Sequence, residues 1–129
     1  MRITYRGEAG QLHASVATPL AVVITELLQN AAEHAWPDGG EGAGGHQGAL
    51  QVDVALHRTD TELRVTVRDN GIGLPPGFSI DKTSSLGLSI VRNLVGTQMG
   101  GRIVMHSDSG TVVQVVIPVD HPADDLATL

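Results

Sequence analysis

Leu20, Val23, Ile24, Leu27, Leu28, Ala31 and Ala35 recur at intervals of three and four residues, so a helix over this stretch carries one apolar stripe that must be buried. Thr18-Pro19 makes a suitable entrance, with a hydroxyl able to cap and a proline whose missing N–H is harmless at the first helical position. Trp36-Pro37 supplies the exit, because the residue before a proline is driven out of the helical region. The surface that receives the stripe is written further along. Leu50, Val52, Val54 and Leu56 alternate with Gln51, Asp53, Ala55 and His57, and Leu63, Val65 and Val67 alternate with Arg64, Thr66 and Arg68, the period of half-buried strands. Thr59-Asp60-Thr61 between them predicts an antiparallel hairpin.

A helical stripe and a one-sided sheet bury each other most simply as two layers. Ile3 to Arg6 alternates and Leu12 to Val16 reads as a second short extended piece, giving an N-terminal extended segment over residues 1–17. A second helix is expected from about Leu86 to Met99, with Leu88, Val91, Leu94 and Val95 inward and Gly100-Gly101 as terminator. Ile103 to His106 and Val112 to Ile117 form a closing hairpin turned at Asp108-Ser109-Gly110. Residues 37–49 hold too many glycines to order cheaply and read as a flexible loop, residues 74–85 are irregular, and residues 120–129 resemble a frayed tail. A length of 129 residues suits one domain over 1–129, and with Tyr5, Trp36 and Phe78 as the only aromatics its core must be aliphatic.

The formal charge of −6, with eight Lys and Arg residues scattered along the chain, argues against a nucleic-acid or membrane contact, since both need a basic patch. A nucleotide needs none, because helix N-terminal N–H groups and one Mg²⁺ can hold a triphosphate in an acidic protein. Without cysteine there is no disulfide, thiolate metal site or thiol nucleophile. The start Met1-Arg-Ile-Thr-Tyr-Arg-Gly7 has no apolar signal core and no apolar run approaches a membrane span, which points to a soluble, cytoplasmic piece.

Three segments carry candidate chemistry. Glu26, Asn30 and His34 recur every four residues and form a row beside the apolar stripe. Such a row is commonly a solvated helix edge, yet Asn30 offers a neutral oxygen suited to Mg²⁺ shared with phosphates, and Glu26 can accept a proton or ligate through water. Val67 to Gly73 ends a strand with a carboxylate and two glycines. Asn70-Gly71 alone reads as a turn; equally, Asp69 can accept a hydrogen bond from the exocyclic amine of a base, with Gly71 and Gly73 letting the ring lie against the main chain. Ser84-Ser85-Leu86-Gly87-Leu88 leads small residues into a helix, either as a plain cap or as an anion site, and it lacks the Gly-Lys-Ser/Thr ending of a Walker loop.

In order along the chain, Glu26-Leu-Leu-Gln-Asn-Ala-Ala-Glu-His34, Asp69-Asn-Gly-Ile-Gly-Leu-Pro75, Ser85-Leu-Gly-Leu-Ser-Ile-Val-Arg92 and Gly110-Thr111 resemble the N, G1, G2 and G3 boxes of the Bergerat-fold ATPases, the superfamily of gyrase, Hsp90, MutL and histidine kinases. The resemblance spans roughly residues 18–118. Leu86 to Val95, followed by Gly100-Gly-Arg-Ile103 and a Gly-Thr hairpin, looks most like the catalytic domain of a sensor histidine kinase, particularly the branch related to the HWE kinases.

That resemblance implies an α+β fold, a two-layer α/β sandwich of Bergerat type, with a mixed, mostly antiparallel sheet of about five strands covered on one face by about three helices. It implies ATP and Mg²⁺ as cofactors, with Asn30 as the metal ligand, Asp69 reading the adenine amino group, and Thr111 supporting Asp69 through a water. Gly71 and Gly73 would shape the adenine wall, and residues 74–85 would form a mobile ATP lid bearing Phe78 as its aromatic. Leu74 and Ser85 at the lid's two ends would join the nucleotide-binding set, as would the Gly87 and Leu88 backbone near the phosphates and Lys82 as a phosphate contact. Three departures stand out. Glu33 replaces a lysine common in the family, His34 occupies a position often aromatic and would stack on the nucleotide or fill the pocket edge, and Ser84-Ser85 replaces a Gly-x-Gly hinge and would stiffen it.

By the same resemblance the domain donates the ATP γ-phosphoryl to a histidine on a separate dimerisation hairpin, within a homodimeric protein that serves a downstream response regulator. Asn30 and Glu26 are the catalytic candidates, Glu26 either assisting the histidine or shaping the Mg²⁺ shell. Nothing before Thr18 is long or periodic enough to be that hairpin, and His13 is a poor acceptor, so the chain is expected to bind ATP and turn over little by itself. The rivals are a serine kinase of the anti-sigma-factor type, suggested by Asn30 to Ala35, and a non-catalytic ATP-binding interaction module.

Overall fold

The computed structural model describes residues 1–34, 49–83 and 85–119. The elements are β1 (Arg2–Gly7), α1 (Ala14–His34), β2 (Gln51–Arg58), β3 (Glu62–Asp69), α2 (Leu86–Asn93), β4 (Arg102–Ser107) and β5 (Thr111–Pro118). A 3₁₀ turn at Ile80–Lys82 precedes α2, and a π turn at Leu94–Gln98 continues it. The strands form one sheet in the order β1-β2-β3-β5-β4, with β1 parallel to β2 and the other neighbours antiparallel. This is the mixed, mostly antiparallel five-stranded sheet expected. The helical layer is leaner than about three: among the described residues it consists of α1 and α2 on one face, the third element being only the 3₁₀ turn.

The alternation in the strands places its apolar rows as anticipated. Val54, Val67, Val113 and Met105 stand in register across four strands, as do Leu56, Val65, Val115 and Ile103, and both rows lie under the helices. Val23 and Leu27 of α1 and Val91 of α2 meet them, with Val95 of the π turn, all essentially inaccessible to solvent. On the open face, Val112 lies between Arg68 and His106 and Val116 between Arg64 and Arg102, and both valines are buried. Arginine stems cover apolar surface while their charged ends stay wet, which explains how a strand so rich in valine sits on an uncovered face.

The start of α1 and the last turn of the second helix differ from expectation. Leu12 to Val16 is not extended: α1 begins at Ala14, where the His13 carbonyl accepts the N–H groups of Val16 and Ala17. Pro19 therefore lies inside the helix instead of opening it, and the Ser15 carbonyl loses its usual i+4 donor. Leu12 and Val16, one helical repeat apart, pack against the core together with buried Pro19, and tertiary burial outweighs the lost bond. The expected exit at Trp36-Pro37, the loop over residues 37–48 and the tail over 120–129 lie outside the described residues. At the other end, α2 changes to π geometry at Leu94, Met99 donating to the Leu94 carbonyl at 3.0 Å. Gly100, with φ of 63°, then lets Gly101 donate to the Val95 carbonyl at 2.7 Å, which ends the helix where the glycine pair predicts. Among the described residues no helix is long and apolar enough to cross a membrane.

Candidate functional site

The last residue of β3, Asp69, lies next to the first of β5, Thr111, because these two strands are sheet neighbours. Asp69 is 7% exposed. Its Oδ1 accepts the main-chain N–H of Gly71 at 2.9 Å and of Thr111 at 3.0 Å, so the carboxylate is held from both sides. Gly110 permits that approach: with φ of 133°, a Cβ there would meet the Asp69 carbonyl oxygen at 2.0 Å. Thr111 thus reaches Asp69 directly through its main chain.

Asn70 does more than turn the chain. Its side-chain oxygen accepts the Gln51 N–H at 2.9 Å, its own N–H donates to the Gln51 carbonyl at 3.2 Å, and its amide nitrogen donates to Ala49 at 3.3 Å. The residue extends the β2/β3 ladder and carries the main chain past Asp69 in one conformation. Gly73 follows at φ of 83°, where a Cβ would stand 3.0 Å from the Ser107 hydroxyl oxygen, and that hydroxyl accepts the Leu74 N–H at 2.9 Å. Arg68 pairs with Asp108 at 3.3 Å, tying the β4/β5 turn to the same segment.

These elements enclose a cavity of about 560 Å³. Asp69 and Thr111 lie at one side, Asn30 and His34 reach it from α1, and Leu88 from α2. Ile72, Leu74, Pro75, Pro76 and Phe78 give it a largely apolar wall. A polar cavity of about 130 Å³ adjoins it, sharing Asn30, His34, Ser85 and Leu88 and adding Glu26, Gln29, Glu33 and Gly87. An apolar chamber with one fixed carboxylate beside a small polar chamber at a helix N-terminus matches a ligand with a flat apolar end and a polar end.

The Ser85 hydroxyl caps α2 by accepting the Leu88 N–H at 3.4 Å. Glu26 lies against the first turn of this helix: a Cβ on Gly87 would stand 2.7 Å from its Oε2. Among the described residues no group of three or more acidic or histidine side chains is set to hold a metal ion. The donors present, the Asn30 amide oxygen with the Glu26 carboxylate nearby, suit a hard cation that takes most of its shell from phosphates and water.

Of the residues nominated from the sequence, Asn30, His34, Asp69, Gly73, Leu74, Ser85, Leu88 and Thr111 line the larger cavity, and Glu26 and Gly87 line the smaller. Gly71 is buried behind Asp69 and supports it. Lys82 stands exposed on the 3₁₀ turn and lines neither cavity. The segment expected to form an irregular lid contains that turn, held by the Lys82 N–H on the Ser79 carbonyl at 3.1 Å. Gln29 and Glu33, absent from the nominated set, share the Glu26 and Asn30 face by helical spacing, a signal the sequence does contain. Thr83 and Ser107, also absent from it, have no local signature, since their places depend on pairings distant in sequence.

The family model described as histidine kinase-, DNA gyrase B-, and HSP90-like ATPase matches residues 15–121. Sensor histidine kinase PdtaS of Mycobacterium tuberculosis is 43% identical over 122 residues, covering 92% of this chain and 23% of that protein. Blue-light-activated histidine kinase 2 of Erythrobacter litoralis is 27% identical over 119 residues, covering 92% of this chain and 32% of that protein. Among solved structures, a blue-light activated histidine kinase of Erythrobacter litoralis superimposes with a TM-score of 0.78 at 25% identity, over 95% of this chain and 36% of that one. The chain therefore corresponds to a part of each of these proteins. With its carboxylate-bearing cavity, its five-stranded sheet and these relatives, it belongs to the histidine kinase-, DNA gyrase B-, and HSP90-like ATPase family, as an ATP-binding domain of the histidine kinase type.

Proposed function

We propose that this domain binds Mg²⁺-ATP and donates its γ-phosphoryl group to a histidine on a separate helical dimerisation hairpin, from which the group passes to a response regulator in the cytoplasm. The observation that carries the reading is the Asp69 carboxylate. With Oδ1 occupied by the Gly71 and Thr111 N–H groups, Oδ2 remains to accept the exocyclic amine of adenine in a cavity that is otherwise apolar. Gly73 and Leu74 flank the ring, and His34 closes the edge.

The polar cavity suits the phosphates. Among the described residues its lining includes Glu26, Glu33 and His34 and no lysine or arginine, so the phosphate charge needs a cation. A bound Mg²⁺ would supply that charge and polarise the group being transferred. Asn30 would hold it through its amide oxygen, while the capped N-terminus of α2 at Ser85, Gly87 and Leu88 offers N–H groups to the phosphate oxygens. Such transfer depends on positioning and charge more than on covalent chemistry by the protein. Glu26, which lies against Gly87, would accept a proton from an incoming nucleophile. Relatives named sensor histidine kinases, including a histidine kinase/phosphatase NtrB that is 32% identical over 108 residues, support this class of acceptor over a serine.

The test pairs the domain with the remainder of its parent polypeptide and Mg²⁺-ATP labelled at the γ-position. Acid-labile, alkali-stable label on a histidine outside this domain is expected, and its loss in Asn30→Ala. Acid-stable label on serine, or no transfer despite nucleotide binding, would overturn the assignment.

A further inference from the structure

Resting on the nucleotide reading above, we propose that Arg92 is a positioning residue that sets the far wall of the cavity without touching the ligand. The wall from Leu74 to Thr83 supplies five lining residues, yet its only regular structure is a three-residue 3₁₀ turn. Such a segment keeps its shape only if the body of the protein holds its main chain. Two body side chains do so. Ser107 of β4 accepts the Leu74 N–H at the near end, and Arg92 of α2 holds the far part through Nη1, which donates to the Ile80 carbonyl at 3.2 Å and the Asp81 carbonyl at 2.8 Å.

Arg92 lines neither cavity. Its guanidinium bonds instead to the carbonyls of Ile80 and Asp81, residues that line neither cavity themselves. Ile80 is also the acceptor for the Thr83 N–H at 3.5 Å, so the arginine braces the turn that orients Thr83 on one side and Phe78, which packs on the core cluster, on the other. Bonds from a charged donor are the stronger kind, and one cationic nitrogen reaching two successive carbonyls fixes the turn's orientation as well as its position. The apolar wall belongs to the base-binding chamber, so the position of Arg92 should matter for every ligand bearing the base, phosphorylated or not.

The experiment uses Arg92→Gln and Arg92→Lys, calorimetric titration with adenosine and with Mg²⁺-ATP, and amide hydrogen exchange. In Arg92→Gln the affinities for adenosine and Mg²⁺-ATP should fall together, each about tenfold, equivalent to ~1.4 kcal/mol. The Lys82 and Thr83 amides should exchange about tenfold faster, while those of Gly71 and Thr111 keep their protection. Arg92→Lys, whose ammonium can serve the same carbonyls, should recover most of both effects. Loss of Mg²⁺-ATP affinity with adenosine affinity intact would make Arg92 a direct phosphate ligand and overturn the proposal. So would faster exchange at Gly71 and Thr111 in parallel with the wall, or unchanged binding and exchange throughout. If the unaltered protein binds no adenine ligand, the nucleotide reading fails by itself, and the exchange data still decide whether Arg92 holds the wall.

Discussion

Replacing Asp69 by asparagine reverses the polarity of one atom at the centre of the cavity, and the structure dictates which atom. The side-chain oxygen must keep facing the Gly71 and Thr111 N–H groups, at 2.9 and 3.0 Å, because turning the amide would set donor against two donors. The new NH₂ therefore occupies the Oδ2 position and faces the base. Folding weakens modestly: two charge-assisted bonds become neutral ones, a difference of ~1 kcal/mol each. Nucleotide binding suffers more. A bond between the adenine amine and a carboxylate, ~1.5–3 kcal/mol, is lost, and an amine facing an amine adds a desolvation penalty of ~1–3 kcal/mol. Together these amount to ~2.5–6 kcal/mol, about two to four decades in affinity for Mg²⁺-ADP. The same substitution presents a donor suited to a 6-oxo purine, so Mg²⁺-IDP should lose far less and the preference between the two should invert. Calorimetry with both nucleotides, alongside thermal unfolding, reads each part. A variant that binds Mg²⁺-ADP within about threefold of the parent would refute the base-reading role. One that loses both nucleotides equally while folded would refute the polarity argument.

Gly110→Ala should be strongly destabilising, by more than ~3 kcal/mol in denaturant unfolding, because its Cβ would lie 2.0 Å from the Asp69 carbonyl oxygen. Gly77→Ala, with φ of 75° but open space around it, should cost only ~1–2 kcal/mol. Asn30→Ala should weaken Mg²⁺-ATP binding at least tenfold while adenosine binding changes little, measured by titration with and without Mg²⁺. On β2, the Thr4 hydroxyl chiefly, and the Gln51 amide next, hold the Asp53 carboxyl below its ordinary value of 3.8. A folded-state value below the unfolded one gives stability that is present above about pH 4 and lost as pH falls through the folded value. Thr4→Val should therefore lower Tm in the neutral range, where that stability is present, converge with the parent at low pH, and so flatten the acid-side decline.

How much of this fold was legible depended on whether a pattern was local. The strands announced themselves because Leu50 to Leu56 and Leu63 to Val67 alternate strictly, and a slip of one residue would turn the whole apolar set outward. The start of α1 did not. Leu12 and Val16 fit an alternating strand as well as a helix face, and Thr18-Pro19 carries a genuine entrance signal five residues too late. What decides is the burial of Leu12, Val16 and Pro19 against a core assembled from distant segments, which no window of sequence contains. The π turn at Leu94 has the same origin, since the apolar period of α2 runs on without marking the change in hydrogen bonding.

The site divides along the same line. Asp69, Asn30 and the α2 start were visible because each is a chemically pointed residue in a short motif. What makes Asp69 specific is not local: the second N–H on its carboxylate comes from a residue 42 positions away, and the hydroxyl that holds Leu74 from one 33 positions away. Both partners arrive because β5 inserts between β3 and β4, an order that hydrophobic alternation alone cannot distinguish from a simple meander. Lys82 shows the converse. A cation in a lid near phosphates is chemically sensible, but the 3₁₀ turn that Arg92 braces leaves it exposed and outside both cavity linings. Among the described residues the polar chamber is lined by Glu26 and Glu33 with no lysine or arginine, His34 standing 3.7 Å from Glu33, so on the proposed reading the phosphate affinity would come chiefly from the metal and the helix N-terminus. It follows that nucleotide affinity here should depend more steeply on Mg²⁺ than in a pocket where a lysine faces the phosphates.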